Sequence, residues 1–234
     1  MNSQDFLNYQ LTFPRVQEAN QLKYSKVKSY FDKKNMAFPN SQIFWRAFKW
    51  NKALELWAFN SDSQCYVLVK SFPICEIVGD LGPKRQEGDF QIPEGFYYLE
   101  NFNPNSKYHL SLKVSYPNLS DSLLGVKGKL GGDIYVHGKC ETIGCLPMTD
   151  TLIQEIYLIN LYAKANGQEL IPIHIFPTKL SLNNMNKLKK DYFNGNTSIL
   201  NFWNNLKEGF EYFEKKKILP LIIIDPISGK YLFQ

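Results

Sequence analysis

The apolar residues of this chain come in short runs. The longest, Ile218-Leu219-Pro220-Leu221-Ile222-Ile223-Ile224, is broken by a proline. A membrane-spanning helix needs about 20 consecutive apolar residues, so no stable membrane insertion is expected. The core must instead be built from short strands and amphipathic helices. With 234 residues, 44% hydrophobic and 15% aromatic, the chain has the material for one large domain or a domain with an appended module.

The periodicity orders those pieces. Residues 5–34 read as helical, broken at Pro14, with lysines in the last turn. "IFWRAFK" and "LELWAFN" are strand-like and flank Trp50-Asn51-Lys52-Ala53, a hairpin signal. "QCYVLVKSFPICEIVG" continues the β pattern, with Pro73 marking an edge or bend. The Gly- and Pro-rich segment 79–102 reads as a long loop feeding a strand at Gly95–Leu99, and loops of that length are usually functional or disordered. "YHLSLKVSY" alternates as a strand, and "GGDIYVHG" is a short strand ending at His137. "TDTLIQEIYLINLYAKANG" is a helix with Thr149 or Asp150 as N-cap and Gly167 at the C-cap. A strand "LIPIHIFP", a helix "SILNFWNNLKEGFEYFEKKK" and a closing hairpin complete the chain. The expectation is an α+β fold, a mostly antiparallel sheet or small barrel with flanking helices.

The charge balance is mildly basic, 27 Lys and Arg against 22 Asp and Glu. It fits an anionic partner such as a cell-wall polymer, a membrane surface or nucleic acid without demanding one. The lysine clusters at 187–190 and 215–217 fall on helices and read as solvated faces. The start "MNSQDFLNYQ" lacks a basic stretch followed by an apolar one, so no signal peptide is read from it.

One stretch concentrates reactive side chains. "YVHGKCETIGCLPMTD", residues 135–150, holds one of three histidines and two of four cysteines. As a zinc site, His137, Cys140 and Cys145 lack a second paired cluster. As a disulfide, Cys140–Cys145 would close a very tight loop, whereas Cys65–Cys75 could bridge adjacent strands in an oxidising compartment. A buried pair of thiols is the bland alternative. A nucleophile has more support. Cys145 lies between a strand and a well-capped helix whose N-terminus favours a thiolate. Gly144 permits an unusual backbone, and the amides of Ile143, Gly144 and Cys145 can form an oxyanion hole. His137, at a strand end, can reach back to Cys145 as its base. His109 reads as structural, or as facing a cleft. His174, alternating with Ile173 and Ile175, reads as a surface or hydrogen-bonded structural residue.

With Gly138 behind His137, "VHGKCETIGC" resembles the active-site segment of the YkuD-type L,D-transpeptidase family, and more closely its YafK-like branch. Thr142, Gly144 and Cys145 match the motif's Ser/Thr, Gly and nucleophile. "GPKRQEGDFQIPEGFYYL", "NPNSKYHLSLKVSYPN" and "IPIHIFP" extend the resemblance over roughly residues 60–180. It implies an L,D-transpeptidase-like core at 51–180, an N-terminal helical segment and first strand at 1–50, and a C-terminal helix and hairpin at 181–234. It also implies a cysteine enzyme of bacterial peptidoglycan, without metal or other cofactor and without a nucleic-acid partner, working in the periplasm with its leader removed. Cys145 would attack the L-centre carbonyl of meso-diaminopimelate in a stem peptide, His137 would carry the proton, and the Gly138 carbonyl would orient the imidazole. An amine would complete transpeptidation and water would complete hydrolysis, the latter including release of a peptidoglycan-linked protein. Ile143 stands in place of the motif's second His, a position that contributes mainly its backbone amide. Pro147 in place of a common Arg or Asn, together with the short His-to-Cys spacer, tilts the reading toward hydrolysis. Lys84, Arg85, Tyr108, His109 and Thr142 are the expected substrate contacts, with Ser111 and Tyr116 behind them. Cys140 could act as a redox brake beside Cys145. The competing function is a non-catalytic peptidoglycan-binding module of the same fold.

Overall fold

The computed structural model describes residues 3–40, 42–192 and 196–234. It opens with α1 (Ser3–Gln10) and α2 (Pro14–Asp32). Pro14 stands at the first turn of α2, where its missing N–H has no helical partner to lose. A meander of β1 (Ile43–Phe48), β2 (Ala53–Asn60) and β3 (Cys65–Pro73) follows, then β4 (Gly95–Asn103), β5 (Ser111–Val114) and the short α3 (Leu119–Leu124). Next come β6 (Tyr135–His137), β7 (Leu146–Pro147), α4 (Asp150–Ala165), β8 (Ile171–Phe176), α5 (Leu182–Tyr192) and α6 (Thr197–Lys216). The hairpin β9 (Ile222–Ile224) and β10 (Tyr231–Phe233) closes the chain.

Eight strands form one sheet in the order β3-β2-β1-β8-β4-β5-β6-β7. Most neighbours are antiparallel; β1–β8 and β6–β7 are parallel. The fold is α+β. The expected boundary at 50/51 falls in the β1–β2 turn, and that at 180/181 just before α5.

Both faces of the sheet are covered. Trp45, Ala47, Tyr97, Leu99, Ile173 and Ile175 pack with Val27 and Phe31 of α2 and Ile156 and Leu161 of α4. On the other face Phe48, Phe96 and Phe176 meet Trp203, Leu206 and Phe210 of α6 and Tyr231 of β10. β1 is therefore buried along its whole length, which is why "IFWRAF" is nearly unbroken by polar residues. The same coverage corrects the expectation for His174. It is not at the surface but 4% exposed, its ring 4.8 Å from Phe96 and 5.3 Å from Phe44. Burial, seconded by the Arg46 charge, pushes its pKa down to about 3.

The cysteines pair otherwise than expected. Cys75 and Cys140 are joined, with Cα atoms 5.5 Å apart, while Cys65 and Cys145 are free. Cys65 begins β3 and Cys75 lies beyond its end. The nine-residue strand between them holds them roughly 30 Å apart, beyond any disulfide's reach.

The 79–94 loop is ordered by a buried charge. Lys49 Nζ lies 3.0 Å from the Glu94 carboxylate, both side chains fully buried, and donates to the carbonyls of Gly82 and Ile92. Glu94 also accepts from the Trp203 indole at 2.7 Å and from the Gly82 amide. Buried ions persist when paired and hydrogen-bonded, and this network pins both ends of the loop.

Candidate active site

Strands β6 and β7 run parallel, with Val136 beside Leu146 and His137 beside Pro147. The loop between them carries the chain from His137 to Cys145. Several contacts fix that loop. The Gly138 amide donates to Tyr108 O at 2.9 Å, and Lys139, at φ 59°, donates from its amide to Asp150 Oδ1 at 2.8 Å. The Cys75–Cys140 disulfide holds its middle, and the Cys75 amide donates to Pro147 O at 2.9 Å. Beyond the loop, Thr149 caps α4 by accepting from the Leu152 amide, and Gly167, at φ 102°, follows the helix's C-cap Asn166.

His137 is 2% exposed, and its Nδ1 lies 2.6 Å from Gly138 O. A carbonyl oxygen only accepts, so Nδ1 carries the proton and Nε2 keeps its lone pair in the neutral ring. The Tyr108 ring lies 4.6 Å from the imidazole. Burial lowers the His137 pKa, and the bond to Gly138 opposes that shift. Cys145 Sγ accepts from the Tyr135 amide at 3.4 Å and contacts Asp133 O at 3.5 Å. Burial pushes its thiol up; the Tyr135 amide and the Lys84 charge pull it down, and the Asp133 carboxylate adds to the rise.

His137 and Cys145 line one cavity of about 330 Å³. Of the expected substrate contacts, only Tyr108 lines it, together with the weaker candidate Ser111. Lys84 is buried in the loop, 2.7 Å from Asp89 Oδ1. Arg85 lies 3.6 Å from Asp121 and 4.8 Å over the Phe202 ring, in a separate cavity against α6. His109, at φ 71°, has a buried Nε2 without a partner among the described residues and offers its carbonyl to Arg15. Tyr116 is 4% exposed in the core.

Thr142 builds the turn that leads into Cys145. Its Oγ1 accepts from the amides of Gly144 at 3.2 Å and Cys145 at 2.8 Å, and donates to Cys145 O. Two of the three expected oxyanion donors thus face a hydroxyl in this conformation. Ile143 is 75% exposed at the rim. Gly144 has φ 135°, and a Cβ there would stand 3.0 Å from Gln91 O, so the 79–94 loop packs directly on the turn. Cys140, with its sulfur in the disulfide, offers neither a zinc ligand beside His137 and Cys145 nor a thiol brake.

Asn103, Ser106, Lys107, Asp133 and Tyr135 also line the cavity and were not expected there. A signal existed for one of them. Side chains along a strand alternate in direction, so Tyr135 and His137 share a face of β6. Asn103 pairs with Ser111, and Ser111 with His137, placing the three in one row across β4, β5 and β6.

No family model matches the chain. It is 32% identical over 194 residues, 82% of its length, to the protein described as "Putative L,D-transpeptidase YafK" of Escherichia coli (strain K12), covering 74% of that relative. The protein of the same description from Escherichia coli O157:H7 matches equally. A crystal structure of the helical cell shape determining protein Pgp2 (K307A mutant) from Campylobacter jejuni aligns with 80% of this chain and 73% of its own at 19% identity and TM-score 0.48. The sequence match runs well beyond the segment that first suggested the resemblance, and by that identity and coverage the chain belongs to the L,D-transpeptidase family, in its YafK group.

Proposed function

We propose that the protein is a cysteine-dependent enzyme of bacterial peptidoglycan, acting outside the cytoplasm. The observation that carries this is one cavity holding both the Cys145 thiol and an imidazole fixed through Nδ1. No described helix is long and apolar enough to cross a membrane.

Cys145 attacks the L-centre carbonyl of meso-diaminopimelate in a stem peptide. His137 Nε2 takes the thiol proton as the S–C bond forms, then delivers it to the leaving nitrogen. The Gly138 carbonyl holds the ring through both transfers. The amides of Ile143, Gly144 and Cys145 receive the oxyanion, which displaces the Thr142 hydroxyl from the last two. Water or a second amine then opens the thioester, and hydrolysis is the favoured outcome.

The test is mass spectrometry of purified sacculi treated with wild type or Cys145→Ala. Peptide or protein release that depends on Cys145 makes the protein a hydrolase. New diaminopimelate–diaminopimelate cross-links make it a transpeptidase. Identical profiles leave a binding module.

A further inference from the structure

A second cavity, of about 280 Å³, lies between the closing hairpin and strands β4 and β8. It shares no lining residue with the cavity of Cys145. Phe96 and Pro172 wall it on the sheet side, and Leu219, Pro220, Ile222 and Tyr231 on the hairpin side. None of the described residues that line it is charged. Arg46, beside His174 in the β1–β8 register, has its charge taken up by Glu55 and Glu214.

His174 also lines this cavity and is 4% exposed. Its ring lies 4.8 Å from Phe96 and 5.3 Å from Phe44, and neither ring nitrogen has a hydrogen-bond partner among the described residues. The other polar side chains on the walls are bonded or wet. Asn118 Nδ2 donates to Phe96 O at 3.2 Å and to the Tyr231 hydroxyl at 3.0 Å. The Tyr97 hydroxyl donates to Asp121 Oδ2 at 2.9 Å, and Ser115 Oγ accepts from the Tyr98 amide at 2.9 Å. Tyr98 itself is exposed. Buried polar groups are nearly always hydrogen-bonded, so the bare imidazole calls for a partner.

The imidazole is neutral in the folded protein at neutral pH, and so offers one N–H and one lone pair. A hydroxyl can meet either. A charged group would enter a site with no free counter-charge. An apolar cavity of about 150 Å³ holds a benzene, and this one has about twice that room. The Phe96 and Tyr231 rings, 4.9 Å apart and edge to face, give a ring edges and faces to pack on. We infer that this cavity is a second binding site, for an uncharged aromatic group with one hydroxyl, its ring against Phe96 and Tyr231 and its hydroxyl on His174. Two sources carry that chemistry, a free phenol and the side chain of a tyrosine in a polypeptide. The site does not depend on the function proposed above.

The test titrates the whole chain with p-cresol, toluene and 4-hydroxybenzoate by calorimetry, and follows the histidine ring nitrogens by NMR. p-Cresol is expected to bind about tenfold tighter than toluene, the worth of one buried hydrogen bond. It should move the His174 resonances and leave those of His137 in place. 4-Hydroxybenzoate, with its charged carboxylate, should bind at least about tenfold more weakly than p-cresol. His174→Phe should erase the preference for p-cresol over toluene. N-acetyltyrosinamide separates the sources: affinity equal to that of p-cresol assigns the site to a tyrosine side chain, and weaker binding assigns it to a free phenol. Equal affinities for p-cresol and toluene, or for p-cresol and 4-hydroxybenzoate, overturn the inference. So does a variant that keeps the preference. Should His174→Phe fail to fold, the wild-type NMR decides: His174 resonances that stay put under p-cresol overturn the site.

Discussion

The Nδ1 atom of His137 lies 2.6 Å from the carbonyl oxygen of Gly138, its neighbour in sequence. That bond sets the tautomer from within the chain, and among the described residues no carboxylate is hydrogen-bonded to the ring. Burial lowers the imidazole pKa below its usual 6.5 and raises the thiol above its usual 9.0. The resting pair at neutral pH is thus thiol and neutral imidazole, and in the proposed reaction the proton moves only as substrate is attacked.

Acylation of Cys145 should therefore lose rate only on an acid limb lying below pH 6.5, where His137 takes up a proton. Replacing His137 by Ala should remove that limb and slow acylation by about 10²–10⁴-fold. Intact-protein mass spectrometry of the acyl-enzyme across pH measures both. An acid limb that persists in the variant would assign the titration elsewhere.

Gly138 has no room for a side chain. A Cβ there would stand 2.6 Å from Asp150 Oδ1 and 2.7 Å from Tyr108 O. Gly138→Ala should cost about 1–3 kcal/mol in overpacking. It should also move the carbonyl off His137, so activity falls further than thermal stability alone explains. Denaturant melts alongside turnover of the stem peptide separate the two effects.

The Cys75–Cys140 bridge spans a sequence separation of 65 residues. A loop of that size limits the unfolded chain by about 4 kcal/mol in the loop-entropy account. Cys140→Ser should lower the melting temperature and reduce acylation, because the bridge holds the middle of the loop between His137 and Cys145. Added reductant should do the same to wild type and leave the variant unchanged; a melting temperature insensitive to both would mean that the bridge contributes nothing.

His174 makes stability depend on pH. Its folded pKa is about 3 against 6.5 for the free group. The unfolded chain binds the proton first as pH falls. Stability is thus fully present above 6.5 and lost on the way to about 3, by at most about 1.4 kcal/mol per pH unit. Asp121, raised to about 6 by burial, acts oppositely over part of that range. The informative quantity is therefore the difference between wild type and His174→Phe in urea titrations, which should widen in favour of the variant below pH 6.5. A difference that stays constant with pH would contradict the buried, neutral ring.

Most of the elements were legible because each obeys a local rule. Pro14 starts α2, Thr149 caps α4, and the β1–β2 hairpin turns where its loop residues allow. The motif singled out His137 and Cys145, and the fold places both in one cavity. What escaped depends on residues far apart in the chain. His174 alternates with Ile173 and Ile175 as a half-exposed strand would, but α6 and the closing hairpin cover its face. Cys75 finds Cys140 only once β6 and β7 have brought the 138–145 loop beside the end of β3. Lys84 and Arg85 read as substrate contacts because they sit on the framing loop. Their charges are instead taken up by Asp89 and Asp121.

Strand β1 lies between β2 and β8, with Trp45 beside Ile173, more than half the chain later. A chain leaving the ribosome can therefore pair β1, β2 and β3 early, but the middle of the sheet stays open until Ile171–Phe176 has emerged. Until then one edge of β1 presents unpaired backbone, between faces that carry large apolar side chains. The same register that gives the finished sheet its buried centre makes the half-made protein dependent on whatever guards such edges during synthesis.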